Sequence, residues 1–448
     1  METRHAERTN DPMMDRLASA LPGPDSRLRY LVLLAAGGVA ILGYIHRVGF
    51  AQALPDIQKR FEFSNSAASY IFVAFFLSYG LFEVPWGLIG DKLGVRHLLV
   101  GLVLGWSFLT GAIVWVDWFP IQTVWPLVYV LVLRFGFGAF QAGTFPSLSR
   151  MMTDWMPVGE RGFAQGWVWM SSRIGGAIAP LIVIWTMKHF GGLHAFWYLA
   201  ALGLLWSALF WPWFRNKPAE KANISRVELE KIALNRPANA PSAHLHLPWR
   251  QASRSLSVWS ICAMYGCLGF TGNFFITMLP VYLRNERKLD PDTVGYLSSL
   301  PLACGIISCL LGGYLSDRII RKTGNRTLGR RTVAVTGFLV AFAALITTIW
   351  IQNPVWLGVF LCATFFANDL AMGPAWAACS DIGEQYAGTL GGTMNMVGSF
   401  AGALGALFAG RLLDHGMAVA MIAMFAGAYL VGVITWMGID VNRRLSDV

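Results

Sequence analysis

The chain has 448 residues, 55% hydrophobic and only 13% charged, with 19 Trp, 29 Phe, 47 Gly and a formal net charge of +10. Apolar content at that level, gathered into runs of about 20 residues, excludes a string of ordinary soluble domains and marks an all-α, polytopic membrane protein. The basic excess would suggest a nucleic-acid partner in a soluble protein. Here it sits between the apolar runs and reads as membrane topology, with the lipid bilayer as partner and no nucleic acid.

Residues 1–29 are polar and contain no short apolar core followed by a small-residue cleavage site, so they are expected to form a cytoplasmic tail ahead of an uncleaved first span. Twelve spans follow, at about 30–53, 69–90, 97–116, 124–149, 163–187, 194–214, 257–283, 293–316, 332–351, 354–378, 387–410 and 417–438. They are continuous runs rather than short alternating segments, which favours helices over a barrel. The segment 215–256 is polar and Pro-rich, with one short helical patch (SRVELEKIAL), and is expected to be a cytoplasmic linker between bundles 30–214 and 257–438. Residues 439–448 form a second tail.

Lysine and arginine set the orientation. With the N-terminus inside, 25 fall in inner segments, 7 in outer loops and three within spans (Arg47, Arg134 and Arg173). This asymmetry predicts both termini in the cytoplasm of a multi-pass inner (plasma) membrane protein. The six cysteines show no CxxC spacing and read as small buried hydrophobes, with no metal and no cofactor expected. No HExxH, GxSxG or P-loop pattern appears, so catalysis is not expected.

The two halves repeat. GLIGDKLGVR (87–96) and GYLSDRIIRK (313–322) match at a spacing of 226. The same spacing places Gly162, Gly166, Met170 and Gly176 on Gly388, Gly392, Met396 and Gly402. Two matches at one offset, each at the same place in a six-span unit, indicate duplicated halves.

With those motifs the sequence resembles the major facilitator superfamily, and more narrowly its anion:cation symporter family. The narrower likeness rests on YIHR (44–47), RFGFGAFQAGTFP (134–146), WMPVGERGFA (155–164) and YAGTLGGTMN (386–395). The resemblance implies two pseudo-symmetric six-helix bundles and a gate motif at Asp91 and Asp317. It also implies a carboxylate before the first-span arginine and another seven residues after the fourth-span arginine. His46 and Gln141 stand at those positions.

Charges inside spans carry the functional reading. Each intramembrane arginine costs about 2.5–3.5 kcal/mol on insertion scales, so three together need a purpose. Arg47 and Arg134 are expected to grip an anionic group, helped by Tyr44 and Gln141, with Arg173 supporting them or holding a second anion. The alternatives are an outward-snorkelling Arg47, an Arg134 paired with an internal acid, and a structural Arg173. The repeat places Asn273 opposite Arg47 and Ser399 opposite Arg173, so the second half offers neutral hydrogen-bonders, including Asn395, for solute hydroxyls. His46, Asp369 and Glu83 are the protonation candidates; each also admits a structural reading as a partner of a neighbouring helix. Tyr79 and Trp376 are further candidates for the cavity wall. Pro146, Pro180 and Pro374 are expected to bend spans 4, 5 and 10.

The expected function is secondary active transport of a small organic anion of the sugar-acid class (hexuronate, aldonate or aldarate) by a monomer, through alternating access coupled to H+. An exchanger for phosphorylated or inorganic anions is the alternative, and a transporter-like solute sensor a lesser one. The topology is directly testable. A cysteine replacing Ala240 in the linker should react in intact cells only with membrane-permeant maleimides, and labelling by an impermeant reagent would invert the orientation.

Overall fold

The structure is a computed structural model and describes residues 26–121, 123–157, 160–233, 249–383 and 387–442. Among the described residues, twelve helices are long and apolar enough to cross a membrane. The first six are α1 (Leu28–Phe61), α2 (Asn65–Leu93), α3 (Val95–Trp118), α4 (Trp125–Trp155), α5 (Arg161–Phe190) and α6 (Ala195–Trp213). The second six are α7 (Leu256–Thr277), α8 (Pro291–Thr323), α9 (Arg326–Thr347), α10 (Pro354–Gly383), α11 (Ala387–Asp414) and α12 (Ala418–Met437). The expected all-α architecture of two six-helix bundles is the observed one.

Helix starts are written locally. Ser64 accepts from the Ala67 N–H at 3.0 Å at the head of α2. Asp290 accepts from the Asp292 and Thr293 N–H groups at 3.1 Å, and Pro291 occupies the first position of α8. The Asp290 carboxyl is held below its usual range by those bonds to Thr293. Asn353 before Pro354 and Asn325 before Arg326 cap α10 and α9 in the same way.

Several helices outrun their predicted spans. α1 continues to Phe61 although a boundary near residue 53 was expected, because Lys59 and Arg60 fall in its last turn, where cations suit the helix dipole. α4 and α10 are each two helices in line, interrupted at Gly143 and Ala371, with Pro146 and Pro374 three residues on. Each proline lacks the N–H that would bond four residues back, so the turn there relaxes. The two breaks are 228 residues apart, at equivalent places in the two halves. Pro180, expected to bend its span, lies inside a single uninterrupted α5.

Within each half, backbones are brought together by glycine. A Cβ on Gly175 would collide with the carbonyl oxygen of Ile41, so α1 and α5 touch main chain to main chain. A Cβ on Gly269 would meet the carbonyl of Gly398, the corresponding α7–α11 crossing. The halves themselves meet along α2 with α11 and α5 with α8, two seams that the internal repeat interchanges.

The two ends of the bundle differ. At the end remote from the termini, the Asp414 carboxylate accepts from the Asn65 and Ser66 N–H groups at 2.6 and 2.8 Å, joining α11 to the start of α2. Lys188 of α5 pairs with Asp292 of α8 at 2.7 Å, and Asn285 donates to Asn65 at 3.0 Å. This far end is therefore latched across the seam. At the other end, Arg330 bonds Asp317 at 2.9 Å and lies 3.4 Å from Asp381, tying α8, α9 and α10 within the second half. Asp317 thus has a basic partner at this end; the Asp91 side chain lies outside the described residues.

The linker is more than a tether. Its helix Arg226–Ala233 buries Glu228 completely, and that carboxylate accepts from the Leu28 and Arg29 N–H groups at 2.9 Å, the Arg29 guanidinium at 3.3 Å and Ser26 Oγ. It satisfies open donors at the start of α1 and sits at the positive end of that helix. Arg29, assigned to the tail from sequence, also reaches Glu160 at 3.2 Å.

The glycine crossings give a test. Gly269→Leu has no flexible neighbour to displace and should cost about 3 kcal/mol, the upper end of overpacking. The readout is loss of the monodisperse peak in detergent size-exclusion chromatography, whereas Gly101→Leu, which meets open space, should leave it intact.

Candidate functional site

Side chains from α1, α2, α4, α5, α7, α10 and α11 come together between the halves. They enclose a cavity of about 140 Å³. Of the residues singled out from sequence, Tyr44, Arg47, Glu83, Arg173, Asn273, Asp369, Asn395 and Ser399 line it, as do Tyr79 and Trp376. Arg134, Gln141 and His46 do not.

Arg47 is the cation presented to the cavity. Its Nε donates to Gln141 Oε1 at 2.7 Å, while the Gln141 amide nitrogen donates to the Gly43 carbonyl at 2.7 Å. Gln141 is thus a bracket behind the arginine. The guanidinium lies over the rings of Tyr44, Tyr79 and Phe75 at 5.0, 4.8 and 5.2 Å. Aromatic faces offset part of its desolvation without cancelling its charge. Among the described residues no carboxylate lies within ion-pair distance of it, and it does not snorkel to an interface.

Arg134 stands one layer deeper. It is 2% exposed and boxed by Phe50, Phe75 and Phe137, with ring centroids at 4.5, 5.1 and 4.3 Å. Its Nε and Nη2 have no hydrogen-bond partner. The internal acid that would pair it is not found among the described residues. Its charge adds to the positive field behind Arg47 without direct access to the cavity.

Arg173 is spoken for. Its Nε lies 3.0 Å from Asp369 Oδ2 and its Nη2 donates to Asp369 Oδ1 at 3.2 Å, a two-pronged bond between α5 and α10 across the halves. Asp369 also accepts from Asn368 at 3.1 Å and from the Cys309 thiol at 3.5 Å. Asn368 Oδ1 in turn receives Thr271 and Tyr429 at 3.1 and 3.2 Å. Both oxygens of Asp369 are thus engaged by neighbouring side chains.

His46 faces away from the cavity. Its Nε2 lies 2.9 Å from the Leu199 carbonyl of α6, and the ring is fully enclosed. It ties α1 to α6.

Glu83 is different again. Its Oε1 accepts from Asn395 Nδ2 at 2.8 Å, linking α2 to α11 across the halves, while Oε2 is buried without a donor. The remaining wall is aromatic: Trp169 stacks on Phe145 at 4.7 Å and meets Trp376 at 5.9 Å, and Trp376 meets Tyr265 at 5.8 Å. Trp376 was expected in the wall; Trp169, Phe145 and Tyr265, with Phe76 and Phe365, were not anticipated. Their signal in sequence is only helical spacing from the charged residues, which lipid-facing aromatics share.

A membrane-embedded hollow shared by two repeated bundles, closed at one end, is the architecture of a carrier, and the sequence comparisons agree. The family model of the Major Facilitator Superfamily matches residues 33–406. The chain belongs to that superfamily. It is a multi-pass membrane transporter and not an enzyme. One relative, named "Probable sulfoacetate transporter", from Cupriavidus necator, is 30% identical, with 94% of this chain and 95% of the relative covered. The "Probable galactarate/D-glucarate transporter" of Escherichia coli K12 is 27% identical (94% and 97% covered), and a "D-galactonate transporter" of another E. coli strain 26% (95% and 98%). Among solved structures, a bacterial homologue of the human lysosomal transporter Spinster in an inward-facing, occupied conformation superposes with a TM-score of 0.72 at 16% identity. It covers 91% of this chain and 96% of that one.

The Arg173–Asp369 bond sets a stability test. Arg173→Met leaves a buried carboxylate unpaired and should cost about 3–5 kcal/mol, seen as a lowered Tm in detergent. The double variant Arg173→Met/Asp369→Leu should recover most of that loss. A double variant no more stable than the single would show that the two side chains do not act as a pair.

Proposed function

We propose that this transporter moves a small, hydroxylated organic anion of the sugar-acid class across the inner membrane, taking up a proton with it. The observation that carries the reading is Arg47. Its guanidinium faces the cavity with a neutral bracket behind it and no carboxylate paired to it among the described residues. A charge held in low dielectric without a counter-ion is stabilised by an arriving anion far more than a solvated one would be. The planar fork suits a carboxylate or a sulfonate.

The rest of the wall fits such a solute. Asn273 and Ser399 face the cavity from the second half with hydrogen-bonding capacity for hydroxyls. Trp169, Trp376 and Tyr265 offer flat faces to the C–H side of a polyol chain. Arg173 is neutralised by Asp369, and Arg134 is walled off by rings. Among the described residues the cavity therefore offers one free cation, which favours a solute gripped by a single anionic group, such as an aldonate or hexuronate. Two relatives are named for the sugar acids galactarate or glucarate and galactonate, which supports the class of solute, and a third is named for sulfoacetate, an organic anion without hydroxyls.

Alternating access follows from the seams. The far end is latched by Lys188–Asp292 and by Asp414 on the head of α2, contacts that rocking of the halves must break.

Purified protein in liposomes should concentrate labelled D-galactonate, D-glucuronate or sulfoacetate when the interior is made alkaline. Arg47→Ala should abolish uptake, and Arg47→Lys should weaken half-saturation by about ten-fold or more, since the ammonium lacks the fork. Full affinity in Arg47→Ala would refute the site.

A further inference from the structure

The cavity has two carboxylates among its described residues, and they are not equivalent. Asp369 is held by a guanidinium, an amide and a thiol. Glu83 has one donor, the Asn395 amide, and its other oxygen is buried with none. The geometry points to Glu83 as the group that carries the coupled proton, with its bond to Asn395 as the contact between halves on which that proton acts. This inference rests on the symport reading above.

The physical logic is competition for one cation. Arg47 and Glu83 line the same cavity, and Tyr79, one helical turn before Glu83, has the Arg47 guanidinium over its ring at 4.8 Å. With the cavity empty of solute, ionised Glu83 offsets the Arg47 charge only at a distance, beyond ion-pair reach. An incoming carboxylate takes over that role, and two anions beside one guanidinium repel, so Glu83 binds a proton on Oε2 as the solute seats. On the other face the solute and the proton leave together, and Glu83 returns to its anionic form. One proton accompanying one monoanion moves no net charge.

The groups that face Glu83 are few. α1 contributes Arg47 and Tyr44, α2 itself Tyr79, and α7 Tyr265 across the cavity. α4 contributes Arg134 behind the Phe75 ring, and α5 contributes Arg173, already bound to Asp369. From α11 the partner is the neutral Asn395. Since Asn395 belongs to the second half and Glu83 to the first, neutralising Glu83 weakens a charge-assisted bond on the α2–α11 seam, which is where the halves must part.

Glu83→Gln tests this. The glutamine keeps the volume and an acceptor oxygen for Asn395 but cannot take a proton, so a purely structural role would survive the change. With D-galactonate as the probe, accumulation driven by an inside-alkaline gradient should fall by about ten-fold or more in protein that stays monodisperse in detergent. Proton uptake on solute binding, read with a pH dye in weak buffer, should vanish. Glu83→Asp should restore accumulation with a displaced pH dependence. Undiminished gradient-driven accumulation in Glu83→Gln, or a pH dependence unmoved in Glu83→Asp, overturns the assignment while symport stands. A wild-type protein indifferent to the gradient overturns symport itself, and the assignment with it.

Discussion

A guanidinium cannot lose its proton at any working pH, so one carried into the membrane must be given a counter-charge, a polarisable wall or a reason to wait for a ligand. The first half of this transporter uses all three. Arg173 receives a carboxylate from the opposite half, and the bond doubles as a strut between α5 and α10. Arg134 receives three aromatic faces and no acid, which leaves a standing positive field at the core of the first bundle. Arg47 receives rings on one side and the cavity on the other. The gradation from paired to boxed to open runs toward the cavity and makes it a trap for one anionic group.

The architecture was legible in the sequence because its determinants are one-dimensional. A run of about 20 apolar residues declares a span regardless of its neighbours. The shared offset of 226 declares the repeat, and proline placed three residues beyond Gly143 and Ala371 announces the broken helices 4 and 10. The site was legible only in part, because depth along a helix can be counted from its ends but azimuth cannot. His46 and Arg47 are adjacent in sequence yet about 100° apart around α1, so one faces α6 and the other the cavity. The same uncertainty placed Arg134 and Gln141 in the cavity wall, whereas they form the layer behind it. Contacts between segments remote in sequence left no local mark. Glu228 under α1 and Asp414 on α2 are of this kind, since a lone acid in a polar linker or at a helix end looks like any solvated charge.

Duplication explains why the halves can share a fold while dividing the chemistry. Backbone approach at the glycine crossings of α1 with α5 and of α7 with α11 is retained in both, because it sets the bundle geometry. Side chains aimed at the cavity are free to differ, and Asn273 and Ser399 occupy the repeat positions of Arg47 and Arg173. Cations in both halves would repel across the hollow whenever it closed around nothing. Placing charge in one half and neutral hydrogen-bonders in the other lets the empty cavity close.

The same reasoning bears on what may cross between the halves at mid-membrane. Among the described residues, two polar links do so beside the cavity, Arg173–Asp369 and Glu83–Asn395. The second lies on the α2–α11 seam, while the first reaches from α5 past the α5–α8 seam to α10. The first joins a guanidinium to a carboxylate through two contacts and is costly to separate wherever water is excluded. The second joins a carboxylate with a spare oxygen to a neutral amide, and its strength depends on whether a proton is present. A carrier that rocks about a central site needs one connection that persists as a pivot and another that yields. These two bonds differ in the sense that such a motion requires.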